Sequence, residues 1–182
     1  ENAYGLPASL GGSFDAAGLK WAMHRAEPAG DLPSITSATF VNRLSDGRPL
    51  GLVESALLTR MRTAAVTAIA MEMLPKGSIR RVAVLGAGAQ ARAHVGMIRA
   101  LFPEVAEIRL WNRTPERRDA LLAELGDVVR PALIPAGTIQ DAVEPADVVL
   151  CCTTAPKPLL GADAVRAGRL VVQIGYHEVS FA

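Results

Sequence analysis

The sequence lacks the features that mark several specialised classes of protein. Lysine and arginine number 19 against 18 aspartates and glutamates, and this near balance predicts no nucleic-acid partner. No apolar run is long enough to cross a bilayer, so no membrane partner is expected. The first residues contain neither a basic segment nor an apolar core, so we find no signal peptide and expect a cytoplasmic protein. The chain also lacks an initiator methionine, which leads us to expect a fragment.

Cysteine and aromatic residues are also scarce. The two cysteines, Cys151 and Cys152, are adjacent in an apolar run. We interpret them as core thiols in a reducing compartment, with no metal site and no redox role. Aromatic residues make up only 4% of the chain, which disfavours a pocket for a large aromatic ligand. Half of the residues are hydrophobic, as is typical of a well-packed globular protein.

A glycine-rich turn at residues 86–91 reads G-x-G-x-x-A. It follows residues 81–85, a short apolar run typical of a buried parallel strand, and a helical pattern follows it. Gly86 allows the chain to turn sharply off the strand. Gly88 has no Cβ, so a pyrophosphate can approach the backbone, and Ala91 keeps the helix close to the strand. This context predicts a dinucleotide site.

The helix after this turn supplies the rest of the predicted dinucleotide site. Its first N–H groups, around Ala89 and Gln90, have no intrahelical partners, so they are free to face the phosphates. The helix dipole favours negative charge at the same place. The alternative is a merely tight turn between a strand and a helix, with no ligand.

From residue 78 onward, strands and helices alternate, which predicts a Rossmann-type α/β domain with a doubly wound parallel sheet. Short connections imply right-handed units in the order 3-2-1-4-5, with ligands bound beyond the carboxyl ends of the strands. The predicted strands are residues 81–85, 107–111, 129–134, 147–152 and 170–174, and the predicted helices are one ending at 102 and two at 115–125 and 138–143.

The residues before this domain predict a separate α+β arrangement, because an early antiparallel hairpin does not belong to a doubly wound sheet. The predicted elements are a loop at 5–14, a strand at 19–23, a hairpin of strands 36–41 and 50–54, and a helix from about 56 to 74 that a linker at 75–77 closes. Apolar residues of this helix share one broad face: Leu57, Leu58, Met61, Ala65, Ile69 and Met73. We therefore predict two domains, 1–76 and 77–182.

The residues that end the second Rossmann strand bear on the choice of cofactor. NAD sites carry an acid about 20 residues beyond the first glycines, but here Asn112, Arg113 and Thr114 follow the strand. Asn112 can hydrogen-bond a ribose. Arg113 offers a planar, always-charged fork to a 2′-phosphate, which an acid would repel. The sequence favours NADP over NAD, and the alternative is that Arg113 is simply solvated.

Five motifs in order resemble the ornithine cyclodeaminase/mu-crystallin family, from about residue 4 to the end of the chain. The motifs are residues 19–21, 48–54, 61–66, 86–91 and 111–114. Residues 6–12 together with 18–21 look most like the branch that makes 2,3-diaminopropionate for siderophores and peptide antibiotics. That branch oxidises N-(1-amino-1-carboxy-2-ethyl)glutamate and releases diaminopropionate and 2-oxoglutarate.

The resemblance implies a nicotinamide-dependent oxidoreductase that acts on a small amino acid through an imine. It also implies a homodimer formed through a substrate domain, of which residues 1–76 would be a part. Members of the family are longer than this chain at both ends. The diaminopropionate branch uses NAD and has an acid near the second strand end. This chain lacks that acid, whereas mu-crystallin carries the same four residues as 111–114 here and uses NADPH.

By resemblance, two basic residues face the substrate. Lys20 is placed at the substrate carboxylate or the reacting nitrogen, and the alternative is a plain strand lysine. Arg62 is placed at a substrate carboxylate, the cofactor or both, and the alternative is a structural ion pair with Glu54. The resemblance also places Thr63 and Ser37 near the cofactor.

The resemblance also marks residues after the fourth and fifth Rossmann strands. Thr153 and Thr154 match positions that contact the nicotinamide half, and Gly175 begins the segment after the last strand. His177 and Glu178 follow, near the family's catalytic Asp, and either could take the amine proton. We favour Glu178 slightly for this proton transfer. The alternative for His177 is a surface imidazole with no role, and the alternative for Glu178 is a solvated carboxylate.

Two other functions stay open at this point. A cyclodeaminase or a ketimine reductase would close the imine into a ring or act on a cyclic one. A cofactor-dependent binding protein, as mu-crystallin is for thyroid hormone, would keep the glycine-rich turn but would need no acid–base group.

Overall fold

The computed structural model describes residues 2–25, 29–75, 77–126, 131–175 and 177–180. Contacts divide the chain into two compact units, Glu1–Arg60 and Met61–Ala182. The division falls inside a long helix, whose later turns belong to the second unit. The assignment of a substrate domain to 1–76 and a dinucleotide domain to 77–182 remains a prediction. In the part of the chain that is described, no helix combines the length and the apolarity that a membrane span requires.

The first unit is a four-stranded antiparallel sheet in the order β1-β2-β3-β4. The strands are β1 (Asn2–Leu10), β2 (Ala16–His24), β3 (Ile35–Arg43) and β4 (Pro49–Glu54). The predicted hairpin is confirmed as β3 and β4. The predicted strand at 19–23 is confirmed and extends further in both directions, because β2 pairs with neighbours on both sides along its whole length.

The prediction of a loop at residues 5–14 was wrong. Most of this stretch belongs to β1, whose Gly5 and Pro7 lie opposite Trp21 and Leu19 of β2. Pro7 is compatible with a strand here because β1 is at the edge of the sheet and has only one neighbouring strand. A proline lacks the backbone N–H, and at a sheet edge this N–H is not needed to pair with a second strand. The actual turn is shorter and lies around residues 12–15, where Gly12 and Asp15 have φ of +63° and +43°.

The predicted long helix is confirmed as α1 (Ala56–Met73). The residue before it, Ser55, is held to the first sheet by a hydrogen bond between the Thr39 and Ser55 hydroxyls, which are 2.6 Å apart. The described buried residues of α1 are Ala64, Thr67, Ala68 and Met71. The large side chains of the predicted apolar face are instead more than half exposed: Leu57, Leu58, Met61, Ile69 and Met73.

The second unit is a five-stranded parallel sheet in the order β7-β6-β5-β8-β9, which confirms the predicted 3-2-1-4-5 topology. The strands are β5 (Arg81–Leu85), β6 (Glu107–Trp111), β7 (Ala132–Pro135), β8 (Val148–Cys151) and β9 (Leu170–Gln173), and the helices are α2 (Ala89–Leu101), α3 (Pro115–Leu125) and α4 (Ile139–Val143). The predicted start of the third strand at 129 and the middle of the linker, residue 76, lie outside the described residues.

The central strand β5 separates two hydrophobic cores, because alternate side chains of a strand point to opposite faces. Val82 and Val84 pack with residues of α1, α2 and α3, whereas Ala83 and Leu85 pack with residues of α4. All four of these side chains are fully buried. Both faces are therefore covered by helices, as the sequence predicted.

A buried histidine joins α1 to α2 within the second unit. His94 has no exposed surface, its Nδ1 lies 2.7 Å from the Gln90 carbonyl oxygen, and its Nε2 lies 3.0 Å from the Thr67 hydroxyl. A carbonyl can only accept, so Nδ1 carries the hydrogen and the neutral ring accepts at Nε2. Burial lowers the pKa of His94, with the Gln90 hydrogen bond opposing it, so the folded protein favours this neutral form.

We predict that acidification destabilises the second unit through His94. Its pKa in the folded state lies below the ordinary 6.5, so the unfolded chain binds the proton more readily below that pH. The contribution of the neutral His94 to the free energy of unfolding is fully present above the pKa of the unfolded chain. It is lost as the pH falls below that value towards the lower pKa of the folded protein. Urea titrations should show a slope of at most about 1.4 kcal/mol per pH unit from this group. His94→Gln should remove it; an unchanged slope in that variant would assign the effect elsewhere.

Candidate functional site

The glycine-rich turn joins β5 to α2 at the carboxyl edge of the sheet. Gly86 has a φ of +109°, which favours glycine, and its N–H donates to the Trp111 carbonyl oxygen at 2.7 Å. A Cβ at Gly86 would overlap the Cys152 carbonyl oxygen and lie 2.9 Å from that carbonyl carbon. The turn therefore lets the ends of β5, β6 and β8 approach one another closely.

Gly88, unlike Gly86, has open space around it. It is the N-cap of α2 in an extended conformation, and a Cβ there would meet no atom within 4 Å. As a glycine, this N-cap residue has no side chain that could cap the helix, so it leaves the first N–H groups of α2 to a ligand. Ala89 is exposed, and Gln90 is half-buried with an Oε1 that has no hydrogen-bond partner among the described residues. The open space and free donors suit a pyrophosphate.

The residues after β6 lie at the same edge. Asn112 is half-buried, and its Nδ2 donates to the Thr114 carbonyl oxygen at 2.8 Å. Arg113 is exposed. Thr114 is the N-cap of α3, but its hydroxyl makes no capping hydrogen bond, although the cap position itself was predicted. Pro115 at the first helical position and Gly126 beyond the last also follow the prediction.

Residues after β8 and β9 meet on the other side of the glycine-rich turn. Glu178 is fully buried, and the Thr153 hydroxyl donates to its Oε1 at 3.2 Å. A Cβ at Gly175 would overlap that Oε1 and lie 2.6 Å from the Thr153 carbonyl oxygen. The structure therefore brings Thr153, Gly175 and Glu178 together, whereas Thr154 and His177 are exposed.

This burial bears on the two candidates for proton transfer. Glu178 was slightly favoured, but it presents no surface to a substrate in this conformation. His177, one residue earlier, is exposed at the carboxyl edge of the sheet. Of the two, only His177 is placed where a substrate could reach it in this conformation. The sequence alone could not predict this difference in exposure, because neighbouring residues in a loop have no fixed alternation of faces.

The two cysteines are enclosed in the core near this carboxylate. Both are free and buried. Burial, followed by the Glu178 carboxylate, raises the pKa of the Cys151 thiol to about 12. Burial also raises the pKa of the Cys152 thiol. Both remain protonated at neutral pH, which suits the predicted core role. No cluster of three potential metal-ligating side chains occurs among the described residues.

In the first unit, Lys20 and Ser37 lie on one face of the sheet. Lys20 is half-buried and opposite Thr39, while Ser37 is buried opposite Ala22, the next position on that face. The Ser37 hydroxyl is 3.5 Å from the Thr59 hydroxyl. The structure therefore places Lys20 within a face rich in hydroxyl groups.

His24 also belongs to this face and was not singled out from the sequence. It lies four residues beyond Lys20 in β2, so both side chains point the same way. Burial, followed by the charge of Lys20, lowers the pKa of His24. Its ring contacts Tyr4 edge-on at 4.9 Å between centroids. The sequence did contain a signal for this, because a lysine and a histidine four residues apart in a strand lie on the same face.

Arg62 and Thr63 lie on α1. Arg62 is exposed and forms no ion pair in the part of the chain that the structure describes. Glu54, the suggested structural partner, instead accepts a hydrogen bond from the Ala56 N–H at 2.6 Å. Thr63 is half-buried and lies one turn before Thr67, on the same side of the helix. The exposed guanidinium of Arg62 is therefore available to a ligand.

The two glycines make a matched pair for testing this turn. Gly88→Val should leave the fold largely intact, because its side chain enters open space, but it should abolish NADPH binding by occupying the pyrophosphate position. Gly86→Ala should destabilise the protein by about 1–3 kcal/mol through backbone strain and overlap with Cys152. Thermal unfolding and fluorescence titration measure the two effects. Tight NADPH binding by folded Gly88→Val would contradict the pyrophosphate assignment.

Comparison with known proteins assigns the chain to a family. A sequence profile of the ornithine cyclodeaminase/mu-crystallin family matches residues 4–179. Ketimine reductase mu-crystallin of Macropus fuliginosus is 32% identical over 148 residues, which are 81% of this chain and 46% of that protein. N-((2S)-2-amino-2-carboxyethyl)-L-glutamate dehydrogenase of Staphylococcus aureus is 22% identical over 178 residues, 96% of this chain and 53% of that protein. The chain therefore spans about half the length of the curated relatives it matches.

Solved structures share the fold. Delta(1)-pyrroline-2-carboxylate reductase of Thermococcus litoralis, solved with NADH and L-proline, has a TM-score of 0.80 at 20% identity, over 96% of this chain and 59% of that one. An archaeal alanine dehydrogenase dimer with bound NAD has a TM-score of 0.79 at 23% identity, over 92% of this chain and 50% of that one. Because the profile match extends over nearly all of its residues, the chain belongs to the ornithine cyclodeaminase/mu-crystallin family.

Proposed function

We propose that the protein is a nicotinamide-dependent oxidoreductase that converts an amino acid to an imine, or the reverse. The observation that carries the proposal is the open space above Gly88 at the start of α2. It lies at the carboxyl edge of the sheet, next to the point between β5 and β8 where the strand order reverses, which is where such folds bind dinucleotides. Relatives named as reductases and dehydrogenases support the proposal.

The residues present suit such a cofactor. The free N–H groups of α2 would hold the pyrophosphate, Asn112 would hold the ribose, and the segments at Thr153, Thr154 and Gly175 would border the nicotinamide. The bound nicotinamide supplies the acceptor or donor of a hydride.

The remaining roles fall to side chains that the substrate can reach. Lys20 and Arg62 would orient the substrate through its carboxylates, and Ser37 and Thr63 would contact the cofactor. His177 would hold the proton that the amine nitrogen loses on oxidation, because an exposed imidazole can both take and release it.

We further propose that NADP is preferred over NAD. Arg113 is exposed, the Thr114 hydroxyl is not used as a helix cap, and neither Asn112 nor its two successors is acidic. A 2′-phosphate would therefore meet a guanidinium, a hydroxyl and the positive end of α3. An acid at this position, which would bind a free ribose hydroxyl and repel the phosphate, is absent from residues 111–114.

Arg113→Ala tests this preference. We expect NADP binding to weaken by roughly 10- to 150-fold, because a charge-assisted hydrogen bond contributes about 1.5–3 kcal/mol, and NAD binding to change little. Arg48→Ala, which removes an exposed arginine from the first unit, controls for net charge. Fluorescence titrations with the two reduced cofactors measure both affinities. If Arg113→Ala weakens the binding of NADP and NAD equally, or if the wild-type protein binds NAD as tightly as NADP, then NAD is the preferred cofactor.

The substrate we favour is N-(1-amino-1-carboxy-2-ethyl)glutamate, oxidised to an imine that hydrolyses to diaminopropionate and 2-oxoglutarate. The alignment with the Staphylococcus aureus dehydrogenase supports it, because that alignment covers 96% of the chain, against 81% for mu-crystallin. The higher identity to the ketimine reductase, 32% against 22%, supports a second candidate, reduction of a cyclic imine or cyclodeamination.

Products separate these candidates. Incubation of the whole protein with NADP or NAD and the glutamate conjugate should release diaminopropionate and 2-oxoglutarate, whereas ornithine should remain unchanged. With NADPH, a cyclic ketimine should be reduced no faster in the presence of the protein than in its absence. Mass spectrometry identifies the products. Turnover of only ornithine or the ketimine would favour the second candidate, and tight cofactor binding without any turnover would instead indicate a binding protein like mu-crystallin.

A homodimer is also proposed, through the first sheet. One face of that sheet carries four apolar side chains, each at least 42% exposed: Leu19, Trp21, Phe40 and Leu52. Cross-strand pairing of Leu19 with Phe40 and of Phe40 with Leu52 makes them neighbours. A patch of this kind is typical of a protein interface. The archaeal alanine dehydrogenase that shares the fold is itself a dimer.

A further inference from the structure

Glu178 is the one buried acidic side chain among the described residues, and it contacts Thr153, which the proposed function places beside the nicotinamide. It has no exposed surface, and its Oε1 accepts a hydrogen bond from the Thr153 hydroxyl. Its Oε2 is also buried and has no hydrogen-bond partner among the residues that the structure describes. Enclosing a carboxylate in this way costs free energy, so its place in the structure needs an explanation.

The main chain at Glu178 is fixed as firmly as the side chain. Its carbonyl oxygen accepts hydrogen bonds from the N–H groups of Leu159 and Leu160 at 2.8 and 2.9 Å. The N–H of Ser180 then donates to the Leu160 carbonyl oxygen at 2.8 Å. These bonds attach the segment after β9 to the segment after β8 and fix the main-chain position from which the Glu178 side chain enters the core.

Thr153 connects this carboxylate to the glycine-rich turn. Its hydroxyl donates to Glu178 and also accepts from the Ala155 N–H at 3.2 Å, which orients both the side chain and the loop. Its methyl carbon lies 3.2 Å from the position that a Cβ would occupy at Gly86. The glycine at position 175 leaves the room that the Glu178 carboxylate fills. Thr153 is therefore packed between Glu178 and the turn.

We propose that Glu178 is a positioning residue, which acts through Thr153 to hold the loop after β8 against the Gly86 turn, and that it does not transfer the substrate's proton. This inference rests on the proposed function, because the loop it holds would border the nicotinamide. A buried oxygen that accepts from a fixed hydroxyl can orient that hydroxyl without exchanging protons with a substrate.

Conservative and disruptive variants of both partners separate positioning from proton transfer. Glu178→Gln keeps an acceptor for Thr153, so we expect NADPH affinity and kcat within about threefold of wild type. Glu178→Ala and Thr153→Val each remove the hydrogen bond and should weaken NADPH binding by about tenfold. Thr153→Ser, which keeps the hydroxyl, should restore most of the affinity that Thr153→Val loses. Fluorescence titration of the whole protein measures binding, and the pH profile of kcat should stay unchanged in Glu178→Gln.

The outcomes are distinct. A fall in kcat of about 100-fold or more in Glu178→Gln, with unchanged NADPH affinity, would make Glu178 the proton carrier and overturn the proposal. Full NADPH affinity in Thr153→Val would also overturn it. Thermal unfolding identifies variants that do not fold, and if Glu178→Ala is among them, Glu178→Gln and the two Thr153 variants still decide. Wild-type protein that binds neither NADPH nor NADH would instead refute the proposed function.

Discussion

The contact between Gly86 and the Cys152 carbonyl group is the constraint on which the site depends. The main chain leaves β5 at a positive φ and passes so close to the end of β8 that no side chain fits between them. This approach places α2 with its open N-terminus at the edge where the strand order reverses. A larger residue would move the helix away from the sheet, and with it the donors that a phosphate needs.

Buried polar groups extend this constraint on either side of the turn. On one side the Thr153 hydroxyl and the Glu178 carboxylate connect the loops after β8 and β9. On the other, the neutral ring of His94 joins α2 to α1 through Gln90 and Thr67. Buried hydrogen bonds of this kind are costly to break because the freed groups find no water. They favour one arrangement of the loops and helices around the site.

The elements that were predicted well have strong local or periodic signals. Continuous apolar runs identified the parallel strands, and Pro115 and Gly126 marked both ends of α3. The strand order then followed from short right-handed connections. The prediction failed at β1, because Gly5 and Pro7 disfavour a strand locally while pairing with β2 supplies the hydrogen bonds that make one.

The candidate site divides in the same way. Sequence by itself determined the turn at residues 86–91, the missing acid at 111–114 and the family to which the chain belongs, because these depend on residue type and spacing. Only the tertiary structure decided that Glu178 is enclosed while His177 is exposed, and that Thr153 bonds to the former. Burial and pairing in a loop arise from segments far apart in the chain, and no local pattern records which of two adjacent side chains the fold will enclose.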